Sequence, residues 1–294
     1  MSDWPVGLST GCFYTRSIFD TLEKIVHNGF SMIEVCSSPA HLDYHDDTAV
    51  KEAAALIKTL GVEPYSFHAP FAEAIDITSL DPATREYSGN EIRRAVEAAA
   101  RMGVRHFVLH PGPERPLDPE PGERLTRLRN AASVLDPIAD YCRRLGVCLV
   151  LENMLPHLLF GNVQDTLWIL GALRSIAVGT CLDTGHAYLS REFDRVTYKL
   201  SGHLALIHAS DNNGERDDHL PPGKGTIEWE RFFLAITRTG FRGSIIMELA
   251  GKDNRDPDEL LAEARQARRY LRDISRKLTV ALPPTVEGPD SAEY

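Results

Sequence analysis

Short apolar runs recur along the chain, and most of them end on a side chain that can hold a metal or move a proton. CLVLENM delivers Glu152, SFHAP delivers His68, and FVLHPG delivers His110. TCLDTGH carries Asp183 and His186, LALIHASD carries His208, and IIMELA carries Glu248. Such runs, bounded by turn residues, predict fully buried strands. Acid/base groups gathered at strand carboxyl ends are the pattern of a (β/α)8 barrel, whose site is built there. Parity agrees: Glu152 is in phase with Val150 and Cys148, Glu248 with Ile246 and Ser244, and His208 with Leu206. The opposite face carries Phe67, Phe107, Leu109, Ile207 and Met247. Smaller groups suit a narrow barrel interior and larger ones the helix layer.

The intervening segments have helical period. Apolar residues fall at Ile92, Ala95, Val96 and Ala99, and again at Leu125, Leu128, Ala132, Leu135, Ile138, Cys142 and Leu145. Five helix ends carry a glycine ahead of the next apolar run: Gly29, Gly61, Gly103, Gly146 and Gly240. A glycine there takes the left-handed conformation that closes a helix. The strands are expected within VGLSTGCF, MIEVCSS, EPYSFHAP, HFVLHPG, CLVLENM, VGTCLDTGH, LALIHASD and SIIMELA. Helices are expected over about 17–28, 48–60 (Thr48 as N-cap), 91–102, the Leu125–Leu145 segment, 163–173, 191–201, 228–239 and 257–276. One barrel domain thus spans 1–278, and the polar stretch 279–294 is expected to be a flexible tail.

Composition narrows the class. The 294 residues, 43% apolar and 25% charged, are ordinary for a soluble globular chain. No apolar run is long enough for a membrane span. The start, MSDWPVGLS, lacks the basic and apolar regions of a secretory signal, so a cytoplasmic chain is expected. Cys12, Cys36, Cys142, Cys148 and Cys181 are odd in number and lack C-x-x-C spacing, which suits reduced thiols. A net charge of −10 offers no basic footprint for nucleic acid.

Singly, each strand-end residue has an ordinary explanation: a hydrogen-bonded core histidine, a salt-bridged glutamate, an Asp-Gly turn. Six strand ends all choosing His, Asp or Glu point instead to one shared site. Imidazole with carboxylate suits Zn, Mn, Co or Fe as the divalent ion and disfavours calcium or a thiolate centre. Glu152 and Glu248 lie three strands apart and face each other across the barrel mouth, so they could handle protons on opposite faces of a bound sugar. The segment ASDNNGERDDHLPPGKGTIEW adds Asp217 and His219, and Lys224 as a candidate anchor for a phosphate or sugar oxygen. Phe71 and Tyr14 are candidate substrate contacts on neighbouring loops, and MLPHLLF is expected to act as a lid.

With HAP at His68, LHPG at His110, LEN at Glu152, LDTGH at Asp183 and His186, IH at His208, DDH with a downstream GKG, and MEL at Glu248, the chain resembles the xylose isomerase-like barrel superfamily. That group holds sugar and sugar-phosphate isomerases and epimerases, and also endonuclease IV, the abasic-site phosphodiesterase. The resemblance covers about residues 6–276. It implies a single-metal site of Glu152, Asp183, His208 and Glu248, with Glu152 and Glu248 as proton carriers. The three-metal arrangement of endonuclease IV would place His68, His110 and Glu152 on one ion, the single-metal set on a second, and His186, Asp217 and His219 on a third. The resemblance therefore implies one to three ions per chain. The acidic composition and the apolar MLPHLLF loop depart from the endonuclease pattern.

The expected activity is isomerisation or epimerisation of a small sugar or sugar phosphate through an enediolate. Glu152 and Glu248 would transfer the proton, and His186 and Lys224 would position the substrate. A metal-dependent phosphodiesterase and a lyase or dehydratase are the alternatives. The expected partner is a small carbohydrate, with no membrane, nucleic acid disfavoured, and homo-oligomerisation left open.

Overall fold

Each apolar run forms a parallel strand somewhat shorter than the run itself: β1 (Val6–Ser9), β2 (Met32–Cys36), β3 (Glu63–His68), β4 (His106–Leu109), β5 (Cys148–Glu152), β6 (Val178–Asp183), β7 (Leu204–Ala209) and β8 (Ser244–Met247). The computed structural model describes residues 4–281 apart from 176 and 252–254. Strands pair in chain order and β8 closes onto β1, with Val6 opposite Ile245, so the sheet is a complete barrel. The fold is a (β/α)8 barrel of the TIM type.

Nine α-helices lie among the described residues: α1 (Ile18–His27), α2 (Asp47–Leu60), α3 (Pro82–Met102), α4 (Pro121–Arg144), α5 (Val163–Ala172), α6 (Thr184–Leu189), α7 (Phe193–Leu200), α8 (Trp229–Thr239) and α9 (Pro257–Ala281). The five joint glycines all have positive φ, between 64° and 80°. That is the left-handed turn their sequence context called for.

Several boundaries differ from the sequence pattern, each for a local reason. The first strand stops at Ser9, whose side chain accepts the Gly11 N–H and starts a 3-10 turn over Thr10–Phe13. Asp46, not Thr48, caps α2, accepting from the Thr48 and Ala49 N–H groups. Helix α3 begins at Pro82, ahead of the expected start, because Asp81 caps it by accepting the Ala83 and Thr84 N–H groups and proline suits the first turn; its early buried face is built of small residues. Ser88 and Gly89 sit in that face, and the Ser88 hydroxyl returns a hydrogen bond to the Thr84 carbonyl. Small residues hide the helical period from a hydrophobicity count. The helix expected over 191–201 is α7 together with a 3-10 turn at Ser201–His203, and the separate α6 precedes it. Helix α9 continues to Ala281, past the expected boundary at 278, and the remaining tail lies outside the described residues.

The barrel is filled in two layers. Met32, Tyr65, Val108, Val150, Cys181, Leu206 and Ile246 form a closed apolar cluster inside it. Two residues further along six of the same strands, and so on the same inward face, come Glu34, His110, Glu152, Asp183, His208 and Glu248. Phe67, Phe107, Leu109, Ile207 and Met247 face the helix layer. The apolar layer is thus the floor on which a polar layer rests. Among the described residues no helix is long and apolar enough to cross a membrane.

Candidate metal centre

The polar layer converges on Glu152, which is fully buried and whose two oxygens face different partners. Oε2 lies 3.4 Å from His68 Nε2 and 3.2 Å from His110 Nε2. Oε1 lies 3.2 Å from His208 Nδ1, which is itself 3.2 Å from Glu248 Oε2. Donor atoms of Glu152, Asp183, His208 and Glu248 fall within 4.8 Å of one another. So do those of His68, Glu152 and His208, and separately those of His186, Asp217 and His219.

The five imidazoles are oriented by their other nitrogen. His68 Nδ1 contacts the Ala69 carbonyl at 2.9 Å, His186 Nδ1 the Asn153 carbonyl at 2.8 Å, and His219 Nδ1 the Glu248 carbonyl at 3.2 Å. His110 Nδ1 meets the Glu114 carboxylate, and His208 Nε2 meets Glu34 Oε2 at 2.9 Å. Every one of these partners is an acceptor, so each ring donates outward and turns its second nitrogen toward the centre, where the neutral ring presents a lone pair. Glu152 Oε1 and Oε2, Asp183 Oδ2, His110 Nε2, His208 Nδ1 and Asp217 Oδ1 are buried without hydrogen bonds. Buried acceptors left so cost about 1–3 kcal/mol each. A set of converging acceptors lacking donors fits a cation, and the mix of nitrogen and carboxylate oxygen suits a divalent transition metal.

A profile of the xylose isomerase-like TIM barrel matches residues 22–274. The chain belongs to the xylose isomerase-like TIM barrel family. An uncharacterized protein of Methanocaldococcus jannaschii is 28% identical over 287 residues, covering 94% of this chain and 92% of its own. A ketose 3-epimerase of Arthrobacter globiformis is 25% identical over 244 residues, covering 81% and 80%. A probable endonuclease 4 of Aquifex aeolicus is 26% identical over 187 residues, covering 58% and 64%. Among solved structures, a D-tagatose 3-epimerase-like protein superposes with a TM-score of 0.82 at 24% identity, covering 95% of this chain and all of that one. The IOLI protein with a binding zinc atom superposes at 0.78 with 18% identity, covering 93% and 98%.

In this member of the xylose isomerase-like family the LDTGH segment does more than turn the chain. Asp183 caps α6 by accepting the His186 N–H on Oδ1, at 2.6 Å, which leaves Oδ2 free toward the centre. A Cβ on Gly185 would lie 2.6 Å from Ser210 Oγ, so a larger residue there would have to displace that hydroxyl at the end of β7. Asn153 ties the two strands together: its Oδ1 accepts the Asp183 N–H at 2.8 Å and its Nδ2 donates to the Asp183 carbonyl at 3.1 Å.

The site opens into a cavity of about 180 Å³. It is lined by His68, His110, His186 and His219, by Glu114, Glu152, Asp217 and Glu248, and by Phe71, Met154 and Leu155, with no lysine or arginine among the described residues. Phe71 stands edge-on to His68, with ring centres 5.2 Å apart. The other two expected substrate contacts are not brought here. Lys224 is exposed in its loop, and Tyr14 lies at the rim beside Gly251, outside the lining. The GKG turn instead wraps Asp211. Asp211 Oδ1 accepts the Asn212 and Ile227 N–H groups, and Oδ2 accepts the Gly223 N–H and Trp229 Nε1–H, all at 2.9–3.1 Å. That carboxylate pins the loop that carries Asp217 and His219. MLPHLLF is not a free lid either: Leu158, Leu159 and Phe160 are buried, and only Met154 and Leu155 reach the cavity.

The charges set the titration of the ligand-type groups in the chain by itself. Burial pushes Glu248 up, but the neighbouring His208 and His219 prevail and hold it at about 2. Asp183 is raised to about 6, by burial first and then by Glu152, Asp217 and Glu248. Burial lowers His186 and His219, yet Asp183 and Asp217 raise the first to about 9, and Asp217 with Glu248 raises the second to about 10. Glu34, Glu114, Asn153 and Asp211 escape a reading confined to strand ends. A lone charge in phase within MIEVC was the visible signal for Glu34.

Proposed function

We propose that this chain is a divalent-metal-dependent epimerase or isomerase of a small keto sugar. The observation that carries the reading is the pair Glu152 and Glu248, delivered by β5 and β8. Both line the cavity, and each places an oxygen 3.2 Å from the same nitrogen of the buried His208. Ketose 3-epimerase activity in one relative supports the substrate class. Held by Glu152, Asp183, His208 and Glu248, the cation would supply positive charge beside the substrate carbonyl and so acidify the neighbouring C–H.

The protein groups do the rest. Both glutamates are ionised near neutrality and can accept a proton, Glu152 being held well below the ordinary carboxylate range, where burial is outweighed by His208 and His110. One carboxylate removes the α-proton and leaves that carbon planar; the other, after taking a proton from water, delivers it to the opposite face, and the first then releases its proton to water. Glu152 is fully buried and Glu248 is 21% exposed, so the returning proton and any exchange with water pass most easily through Glu248. Phe71 and Leu155 enclose the sugar's carbon skeleton, and His186 contacts its hydroxyls.

The test is product analysis. The chain, stripped and reloaded separately with zinc, manganese or cobalt, is incubated with a panel of ketoses, and epimers are separated by chromatography. A metal-dependent epimer supports the reading, and none from any sugar with any metal counts against it. A second reading, metal-dependent phosphodiester cleavage, is favoured by the further donor sets at His68 and at His186–Asp217–His219 and by the endonuclease 4 relative. It predicts nicking of a duplex bearing an abasic site. The acidic chain, of net charge −10, and the lack of lysine or arginine among the described residues lining the cavity weigh against it.

A further inference from the structure

Glu34 lies outside the ligand sets, yet among the described residues it is the carboxylate buried beside them with both oxygens hydrogen-bonded. It points inward from the middle of β2, is 0% exposed, and sits one layer above Met32 in the barrel interior. Its register neighbours on both flanking strands are serines: Ser9 on β1 and Ser66 on β3. Ser9 Oγ donates to Oε1 at 3.1 Å, and Ser66 Oγ donates to Oε2 at 2.8 Å. The third contact crosses the barrel, from His208 Nε2 on β7 to Oε2 at 2.9 Å.

A buried carboxylate is expensive to keep, costing several kcal/mol in desolvation unless its partners are well placed. Here three strands contribute donors to it, and its interior neighbours below are apolar. The return is visible at the other end of the imidazole. With Nε2–H committed to Glu34, His208 Nδ1 is the nitrogen that faces Glu152 Oε1 and Glu248 Oε2, and it is the one left to give a lone pair to a cation. We infer that Glu34 is a positioning residue: it fixes the tautomer and ring orientation of His208 and raises the basicity of Nδ1 toward the cation. The inference rests on the metal reading of the site. Carboxylate–histidine pairs of this kind tune metal affinity by about 10–100-fold.

The test uses Glu34→Gln in the full-length chain, with zinc and cobalt as probes. Gln keeps the volume and can satisfy the serines, but it removes the charge behind His208. After stripping with chelator, both chains should melt cooperatively. Zinc affinity, measured by competition with a coloured chelator, should fall about 10–100-fold in the variant. The visible bands of the cobalt-loaded chain should also shift as the ring is released. The effect should vanish in a His208→Gln background, because Glu34 acts only through that ring. If Glu34→Gln does not melt cooperatively, Glu34→Asp carries the same measurement, keeping the charge but withdrawing it from His208. Unchanged zinc affinity and an unchanged cobalt spectrum would overturn the inference while leaving the metal reading intact. An equal loss in the His208→Gln background would overturn it too, as a general packing effect. Failure of the parent chain to bind either metal would overturn both.

Discussion

Replacing Glu152 by glutamine perturbs the centre at a residue that, with His208, belongs to two of its donor sets. The side chain keeps its shape, but both oxygens lose the charge that faces His68, His110 and His208 at 3.2–3.4 Å. Two consequences can be sized. Loss of a general acid/base costs about 10²–10⁴ in rate, or roughly 3–5 kcal/mol of transition-state stabilisation. Loss of a shared direct ligand should weaken the metal by at least the roughly hundredfold that outer partners command. For the parent chain at a metal concentration a hundred times Kd, ligation adds about 2.7 kcal/mol of stability. At about 2–4 °C per kcal/mol, that is a melting shift of roughly 5–10 °C. A hundredfold weaker variant at the same metal concentration keeps only about 0.4 kcal/mol, a shift of roughly 1 °C. Calorimetric melts of stripped and zinc-loaded chains, run beside activity on the accepted ketose, measure both effects. A variant that kept the full metal-induced shift and more than a tenth of the activity would refute the assignment of Glu152 as ligand and proton carrier.

Metal loading should release protons. In the metal-free chain His186 and His219 titrate at about 9 and about 10, while ligation needs the neutral rings. Calorimetry of zinc binding at pH 7 in buffers of different ionisation enthalpy should show that release, and a buffer-independent heat would contradict it. The same raised values make a stability contribution to the stripped chain. It is complete below the unfolded value of about 6.5 and fades as pH climbs through about 9 and 10. A stripped chain whose melting temperature rose over that window would contradict this. Lys224→Ala should change kcat/KM by less than about threefold, the scale of an ordinary surface substitution, because the side chain is exposed away from the cavity. A tenfold rise in KM would restore it as a substrate anchor. Asp211→Asn should destabilise the chain by about 1.5–3 kcal/mol in urea unfolding, since four donors converge on that charge. A change under about 0.5 kcal/mol would refute its role as the loop's anchor.

Much of this architecture was legible because barrel geometry is periodic. Inward parity places Val150 under Glu152 and Leu206 under His208, and the sequence alternates accordingly. The five joint glycines mark helix ends because no other residue takes that turn as readily. What escaped depended on contacts between distant segments. Glu34 is interpretable only when β2 and β7 are known to face each other, and Asp211 only when the GKG turn is seen folded around it. Lys224 looked like an anchor because a glycine-flanked lysine is a sensible anion contact, yet its glycines serve the Asp211 carboxylate: a Cβ on Gly225 would lie 2.3 Å from Asp211 Oδ1. The MLPHLLF lid failed for a related reason, since an apolar loop can cover a ligand or fill a core. Gly112 leaves room for Leu159 and Phe160 to do the second.

The proposed proton transfer by Glu152 and Glu248 is tested most directly by isotope exchange. A carboxylic acid formed by abstracting an α-proton can exchange with solvent before returning it. Incubated in D₂O with an accepted ketose, the metal-loaded chain should therefore place deuterium at the carbon beside the carbonyl. The label should be absent from the stripped chain and from Glu152→Gln. If no ketose or aldose of a broad panel took up deuterium, while the same preparation nicked an abasic duplex at nanomolar enzyme, the epimerase account would be contradicted and the phosphodiesterase reading would replace it.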